Sequence, residues 1–505
     1  MPIWKAIKGI FGKKATPQQA TEKVYEVVPY DGSRFGAVVP HRINREHWQG
    51  AHGQSINNDL QLQLPSLQAR CAFEYGSNPD FEGVVNTYKD DVVGREGPNL
   101  QVISDNPRFN DAVEAGWRDV FADPDPSHRY GGAEDMRTWV QGLMLAGSYV
   151  NIGTNVERTG TRMRYGWRSV HARRLVTPAE YAGDPYIAFG CKYDKITGAA
   201  IEYYISKPQQ VGGFSIQTSD FDVVNAAAVQ RCYIPVEPEQ LTGYPMMTST
   251  LDTAADIRDL DKFVLESIKN SAANSPNLQA MDPKSVVDPD PIPTTTLRYE
   301  PGEASVAPLG WSWQAVESVH PTSQYIPFKH EKAAELGRPI HMPLLVVLLT
   351  AAEANFSSAQ YEGAVYSDGI AGTQGFIERR SLIPFVTNGV IPEVALRHRL
   401  RIPKNFELVW TWNVPAHANI EKFVKAIRSM VEDGIIAPSM ASAMVGQDWE
   451  KVVAARKKCM EDLEKAGLPP APVNNGGQVV KEDDDDEKKP NNSEGRTSAS
   501  RFSFA

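Results

Sequence analysis

The segment His320–Tyr366 reads HPTSQYIPFKHEKAAELGRPIHMPLLVVLLTAAEANFSSAQYEGAVY, and its order of elements decides the fold. Thr322 or Ser323 can cap a first helix, and Gly337 is a natural stop. Ser357 and Gln360 form a capping box, which predicts a second helix from about Ser358. Between them, Met342–Leu349 is apolar but too short to cross a bilayer. No local chemistry explains this order of helix, short apolar run and helix.

Three further stretches share that character. SNPDFEGVVNTYKDDVVGREG (Ser77–Gly97) offers Asn78 as N-cap, Pro79 at the first helical position and Gly94 as the stop. PEQLTGYPMMTSTLDTAADIRDLDKF (Pro238–Phe263) is a Gln-x-x-Gly-x-Pro turn leading into an Asp-rich helix, and GQDWEKVV (Gly446–Val453) is a Gly-x-Asp-x-Glu helix start. In this order, over roughly 64–468, the four stretches resemble the lambda-type portal proteins of tailed bacteriophages. The sequence departs from that family in two places. Thr242 stands before Gly243 where the family usually has Arg. The helix after NFSSA carries Gly363, Gly369, Gly372 and Gly375 where the family is Leu-rich. Each interior glycine costs about 1 kcal/mol relative to Ala, so that helix is either broken or packed closely on a neighbour.

The chain has 505 residues and 41% hydrophobic residues, enough for about three domains. Its net charge of −10 excludes an ordinary basic nucleic-acid binder. The tail from Lys481 holds seven acids and five bases, so the acidity belongs to the rest of the chain. A conduit for DNA fits this charge, because a channel that gripped phosphates would stall its cargo. Cys71, Cys191, Cys232 and Cys459 have no metal spacing and read as free buried thiols of a reducing cytoplasm. Met1–Lys14 is a short basic amphipathic stretch, docked on its own protein or a ring neighbour, with membrane contact as the lesser reading. No signal peptide or membrane span is visible.

The expected fold class is α+β. Asp111–Phe121 and Glu134–Leu145 have helical spacing, while Ser148–Val176 and Tyr186–Ser206 read as strands, with a turn at Thr197-Gly198. Thr248–Ala273 is an amphipathic helix in which Lys262 and Glu266 stand one turn apart and can pair. Prolines between Asn274 and Val319 forbid a long helix there, and Trp311 and Trp313 argue against full disorder. Phe406–Trp412 reads as a strand. Ile420–Val431 is helix-spaced with Gly434 after it, and Asp448 caps a last helix.

The resemblance implies an N-terminal arm (1–60), an α+β wing (61–247) and a first stem helix (248–274). A clip (275–320) and a second stem helix (321–340) follow. An apolar segment, tunnel loop and long wing helix occupy 341–414, ahead of a crown (415–468) and a disordered acidic tail (469–505). It implies a ring, usually of twelve copies, at a capsid vertex of the virion. That ring meets the major capsid protein, the terminase large subunit and then the head–tail connector, and double-stranded DNA passes through it. The tunnel loop would present Ala351, Ala352, Ala354, Asn355 and Ser357 to DNA. Lys329, Lys332 and Arg338 are transient phosphate contacts or intersubunit ion pairs, with Glu331 and Glu335 as partners. Asp288, Asp290, Arg298 and Trp311 mark the clip as the docking edge.

No P-loop, His-Glu-x-x-His or Gly-x-Ser-x-Gly motif is present, so no catalytic, metal or cofactor residue is assigned. His330 and His341 share no acidic partner at ligand spacing, and Asp483–Asp486 reads as a solvated run. Another virion scaffold protein and an enzyme with an unrecognised site stay open, and particle mass separates them from a ring.

Overall fold

The computed structural model describes residues 53–157, 160–207, 219–273, 277–280, 311–314, 323–350, 356–412, 420–444 and 449–465. The amphipathic N-terminus, the tunnel-loop residues 351–355, the clip residues Asp288, Asp290 and Arg298, the Asp448 cap and the acidic tail lie outside them. The chain forms two units, Met1–Gln63 and Leu64–Ala505.

Helix α1 (Ile56–Ser77) begins within the stretch expected to be an irregular arm. Helix α2 (Pro79–Val93) starts as the sequence says: the Asn78 side chain accepts from the Asp80 and Phe81 amides. It ends at Gly94, whose φ of 71° suits a residue without Cβ. Strand β1 (Asn99–Ser104), helix α3 (Pro107–Ala122) and helix α4 (Gly132–Ala146) follow. The sheets come next: β2 (Tyr149–Asn155), β3 (Tyr165–Val170), β4 (Ile187–Ala188), β5 (Cys191–Tyr193), β6 (Ala200–Ser206), β7 (Phe221–Asn225) and β8 (Val229–Cys232). They make an antiparallel β3-β2-β8 sheet and an antiparallel β4-β5-β6-β7 sheet.

Helix α5 (Leu251–Ala273) matches its expected span. Lys262 pairs with Asp259 at 3.5 Å instead of Glu266, because three residues also bring side chains onto one face. Strands β9 (Asn277–Ala280) and β10 (Trp311–Gln314) pair antiparallel, Trp311 opposite Ala280. Helix α6 (Tyr325–Gly337) has Gln324 at its N-cap position with no side-chain cap, so neither Thr322 nor Ser323 holds that place. A short α7 (Leu344–Val347) fills the apolar run.

Helix α8 (Phe356–Ile377) is continuous, and Ser357 lies inside its first turn instead of capping it. Among its glycines, Gly369 faces the His341 ring, which a Cβ would meet at 3.1 Å, whereas Gly363 and Gly372 face open space. A Cβ on Gly375 would meet the Arg379 guanidinium at 3.1 Å, so close contacts account for two glycines of the four. The helical path runs on through α9 (Ile383–Phe385) and α10 (Ile391–His398), with π-helical turns at Glu378–Leu382 and Val386–Val390. Pro384 and Pro392 each sit just after such a turn, where the wider hydrogen-bonding pattern accommodates a residue with no N–H. Strand β11 (Phe406–Thr411) returns to pair antiparallel with β1. Helices α11 (Ile420–Glu432), α12 (Pro438–Met444) and α13 (Trp449–Lys465) complete the described chain.

One core joins α2, α3, α4, the β1–β11 pair and the α8–α10 path. Its centre is aromatic. Trp167 stacks on Phe385 at 4.5 Å between centroids, and Trp117, Trp139 and Tyr149 extend the stack. Asp135 is buried beside it, 1% exposed, and accepts from Trp167 Nε1 at 2.8 Å and Ser169 Oγ at 2.7 Å. A smaller cluster around Val150, Cys191 and Ile205 draws on both the β3-β2-β8 and the β4-β5-β6-β7 sheets. Cys71, Cys191 and Cys232 are buried thiols as expected, but Cys459 is exposed on α13.

Candidate functional site

Helices α2, α5 and α6 meet around Lys329. Asn78 does two jobs there. Its Oδ1 caps α2, and its Nδ2 donates to the Ala254 carbonyl of α5 at 2.8 Å. Leu251, Ala254 and Ile257 of α5 and Ala333 and Leu336 of α6 are buried in the packing. On this frame the Lys329 ammonium lies 2.7 Å from Asp261 and 3.3 Å from Asp80, so one cation ties three helices. The Tyr325 hydroxyl donates to the other Asp261 oxygen. One turn on, Lys332 pairs with Glu335 at 2.8 Å, and Glu335 also accepts from Thr253 of α5 at 3.2 Å. Arg258 pairs with Glu74 and lies over the Phe73 ring.

Burial alone pulls the Lys329 pKa down, but the Asp261 hydrogen bond and the Asp80 charge outweigh it, and the net movement is upward from 10.5. A raised lysine pKa stabilises the fold fully below the unfolded value and loses that contribution as pH rises through the folded one. The ion triad therefore holds steady at neutral pH and weakens only above about pH 10.4. Lys329→Met is expected to cost about 1–3 kcal/mol by leaving Asp80 and Asp261 facing each other half-buried. The measurement is the urea midpoint at pH 7 and at pH 11. A cost that is the same at both would remove the ionic account.

The expected channel residues separate. Lys329 and Lys332 hold carboxylates of their own chain, and Arg338 is exposed where α6 passes into a 3-10 turn. Ser357 is in α8, away from this triad in sequence, and Trp311 lies in the β9–β10 pair. Sequence reasoning missed Asp80, Asp261 and Tyr325. Asp80 reads as an ordinary first-turn acid, and nothing local tells that a lysine more than two hundred residues away reaches it.

The Gln-x-x-Gly-x-Pro turn sets where α5 begins. Gln240 is buried: its Oε1 accepts from the Val236 and Glu237 amides at 2.7 and 3.2 Å, and its Nε2 donates to the Thr242 carbonyl at 2.6 Å. Thr242 receives the Arg231 guanidinium at 2.6 Å, so an arginine from β8 reaches the turn from outside. The Met246 and Met247 amides donate to the Leu143 and Met144 carbonyls, groups that the end of α4 would otherwise leave unpaired.

The α5–α6 pair also carries uncovered apolar side chains: Phe263 (68% exposed), Leu265, Ile268, Ile326 (61% exposed) and Phe328. Phe263 and Leu265, like Ile326 and Phe328, stand two residues apart and point to different sides of their helices, so these exposed apolar side chains offer contact surface on more than one side. Among the described residues no group of three His, Cys, Asp or Glu can hold a metal ion, and no helix is long and apolar enough to cross a membrane. The arrangement offers structural bracing and contact surface.

Residues 42–374 match the sequence family described as phage portal protein, lambda family. Comparison with curated proteins finds no match. Among solved structures, a chain from the neck of a native gene transfer agent particle, computed with C12 symmetry, is similar at 11% identity and a TM-score of 0.46. That match covers 76% of this chain and 94% of the other. An HK97 family phage portal protein from Corynebacterium diphtheriae is similar at 13% identity and a TM-score of 0.34, over 67% of this chain and 94% of the other.

Proposed function

The chain belongs to the lambda family of phage portal proteins, the head–tail connectors, and on that premise we propose that it closes into a ring of twelve copies at a capsid vertex. The family match over 42–374 carries this reading. The ring takes up the terminase large subunit, passes double-stranded DNA inward, and afterwards holds the tail connector. Its work is structural and not catalytic. Helices α5 and α6 form the stem, residues 275–320 the clip, the sheets with α2–α4 and the α8–α10 path the wing, and α11–α13 the crown. Ala351, Ala352, Ala354, Asn355 and Ser357 present small and uncharged side chains to the DNA, with the carboxylate of Glu353 among them. The clip, with Asp288, Asp290, Arg298 and Trp311, is the edge that terminase and connector use in turn.

The exposed apolar side chains of the stem support the assembly. Phe263, Leu265, Ile268, Ile326 and Phe328 lose their water when a neighbouring stem covers them, and each fully buried side chain of this size contributes about 1.5–3 kcal/mol. A neighbour related by rotation uses a different face, which is the heterologous contact that closes a ring. Sedimentation of the wild type is expected to give a particle far above the 55.8 kDa of one chain. The double variant Phe263→Asp with Ile326→Asp is expected to sediment as one chain with unchanged helical circular dichroism, since both positions are exposed within the chain. A wild type that stays monomeric at micromolar concentration across salts would sink the ring. A double variant that keeps wild-type mass would move the interface off the stem.

A further inference from the structure

We infer that the segment Arg397–Lys404, where α10 ends, is a second contact for duplex DNA, outside the channel and directed at phosphates. It reads RHRLRIPK, and no acidic residue falls between Glu393 and Glu407. This is an unusual island in a chain of net charge −10. Arg397, His398, Arg399, Arg401 and Lys404 are all exposed. Arg397 is held by Glu393 at 2.8 Å, but no ion pair among the described residues reaches Arg399, Arg401 or Lys404. Among the described residues, these three cations stand on the surface without a carboxylate.

Their reach suits one kind of polyanion. Arg399 has φ 49°, so the helix stops there and its side chain leaves the helix axis. Pro403 biases Ile402 to an extended conformation. At no more than about 3.3–3.6 Å per residue, the five steps from Arg399 to Lys404 reach at most roughly 18 Å. Along one DNA strand a charge recurs about every 3.4 Å of helix axis, so a basic segment of this reach can meet more than one phosphate. The segment has no Trp, Tyr or Phe to stack on a base, and its charge is mostly arginine and lysine, so the contact is to backbone and independent of sequence. The α8–α10 path from Phe356 to His398 has a contour of roughly 60 Å at 1.5 Å per residue, and this surface lies at the opposite end of it from the start of α8. On the portal reading, that start follows the channel loop, so the two surfaces engage different DNA.

Three free cations bind weakly by themselves, and a ring that repeats them gains by multivalency. The test is fluorescence anisotropy of a labelled duplex with the full-length protein, titrated at several salt concentrations. The comparison is Arg401→Gln with Lys404→Gln, which leaves the helix end at Arg399 intact. Log K is expected to fall linearly with log salt in the wild type. The variant is expected to bind at least tenfold more weakly at low salt, with a slope shallower by about 2, one unit for each phosphate no longer neutralised. An unchanged slope and affinity would overturn the inference. So would a wild type that binds no duplex until residues 466–505 are removed, because the acidic run Glu482–Glu487 would then be the occupant. The same samples are sedimented, so loss of the ring and loss of DNA binding are read separately.

Discussion

Trp167→Ala is expected to lower stability by roughly 3–5 kcal/mol, the range for removing a large buried aromatic without collapse of the site. Trp167 is fully buried and touches the rings of Trp117, Trp139 and Phe385. Those rings come from α3, α4 and α9, so the cavity opens where three elements rely on one side chain. A second loss adds to it, because Trp167 Nε1 donates to Asp135 Oδ2 at 2.8 Å. Trp167→Phe separates the two effects by keeping most of the ring area and deleting the donor.

The Phe variant also has a pH signature. Burial raises the Asp135 pKa above 3.8, and hydrogen bonds from Ser169 and Trp167 oppose that rise. A carboxyl whose folded pKa is raised stabilises most below its unfolded value and loses stability as pH climbs through the folded one. Deleting the Trp167 donor raises the folded pKa further. The deficit of Trp167→Phe relative to wild type is therefore expected to be larger at pH 7 than at pH 4, read from urea midpoints at the two values. A deficit that shrinks toward neutral pH would mean that Asp135 does not carry the charge assigned to it. A Trp167→Ala cost below about 1 kcal/mol would mean that the core collapses freely there.

What can be read from the residues is local. The α2 helix is legible to the residue, since Asn78, Pro79 and Gly94 act through their own backbone neighbours. The spans of α5, α6 and β11 are legible for the same reason, as is the Gly434 stop after α11. What stays hidden is everything settled by distant partners. Strand β1 pairs with β11 across some three hundred residues, and Asn99–Ser104 carries too short a pattern to announce that. Asp135 sits in a helix sequence that reads as amphipathic, yet it is buried because an indole and a serine of β3, Trp167 and Ser169, reach it from elsewhere. Lys329 reads as a phosphate contact or an intersubunit ion pair because Asp80 and Asp261, its partners within the chain, belong to other helices. The basic run Arg397–Lys404 is visible as charge, but its exposure is not. The portal resemblance reaches further than periodicity does, because an order of motifs encodes the long-range arrangement that local chemistry leaves open.

Gly243→Ala is expected to destabilise the protein by about 3 kcal/mol or more and to disturb ring formation, whereas Gly372→Ala is expected to stabilise it by about 0.5–1 kcal/mol. The chemistry of the two substitutions is identical, and only the surroundings differ. A Cβ on Gly243 would lie 2.1 Å from the Gly147 carbonyl oxygen and 2.8 Å from Tyr233 Cβ. The first obstacle is backbone, which cannot rotate away. Gly147 cannot yield either: it ends α4 at φ 80°, and its own Cβ position lies 2.5 Å from the Tyr244 backbone. The two chain segments touch at their glycines, and the added methyl must push the Gln240–Pro245 turn off the end of α4. That movement strains the Met246 and Met247 amides on the Leu143 and Met144 carbonyls and shifts the start of α5. On the portal reading α5 belongs to the stem, so the same displacement misaligns the apolar side chains from Phe263 to Ile268 that meet the next copy. Gly372, by contrast, is exposed in mid-α8 with nothing within 4 Å of an added Cβ, so alanine brings only its helix preference. Urea midpoints and sedimentation of both variants decide the matter. Equal losses at the two positions would show that backbone contact at Gly243 is not what fixes the turn. A normal ring from Gly243→Ala would show that the entry of α5 tolerates the shift.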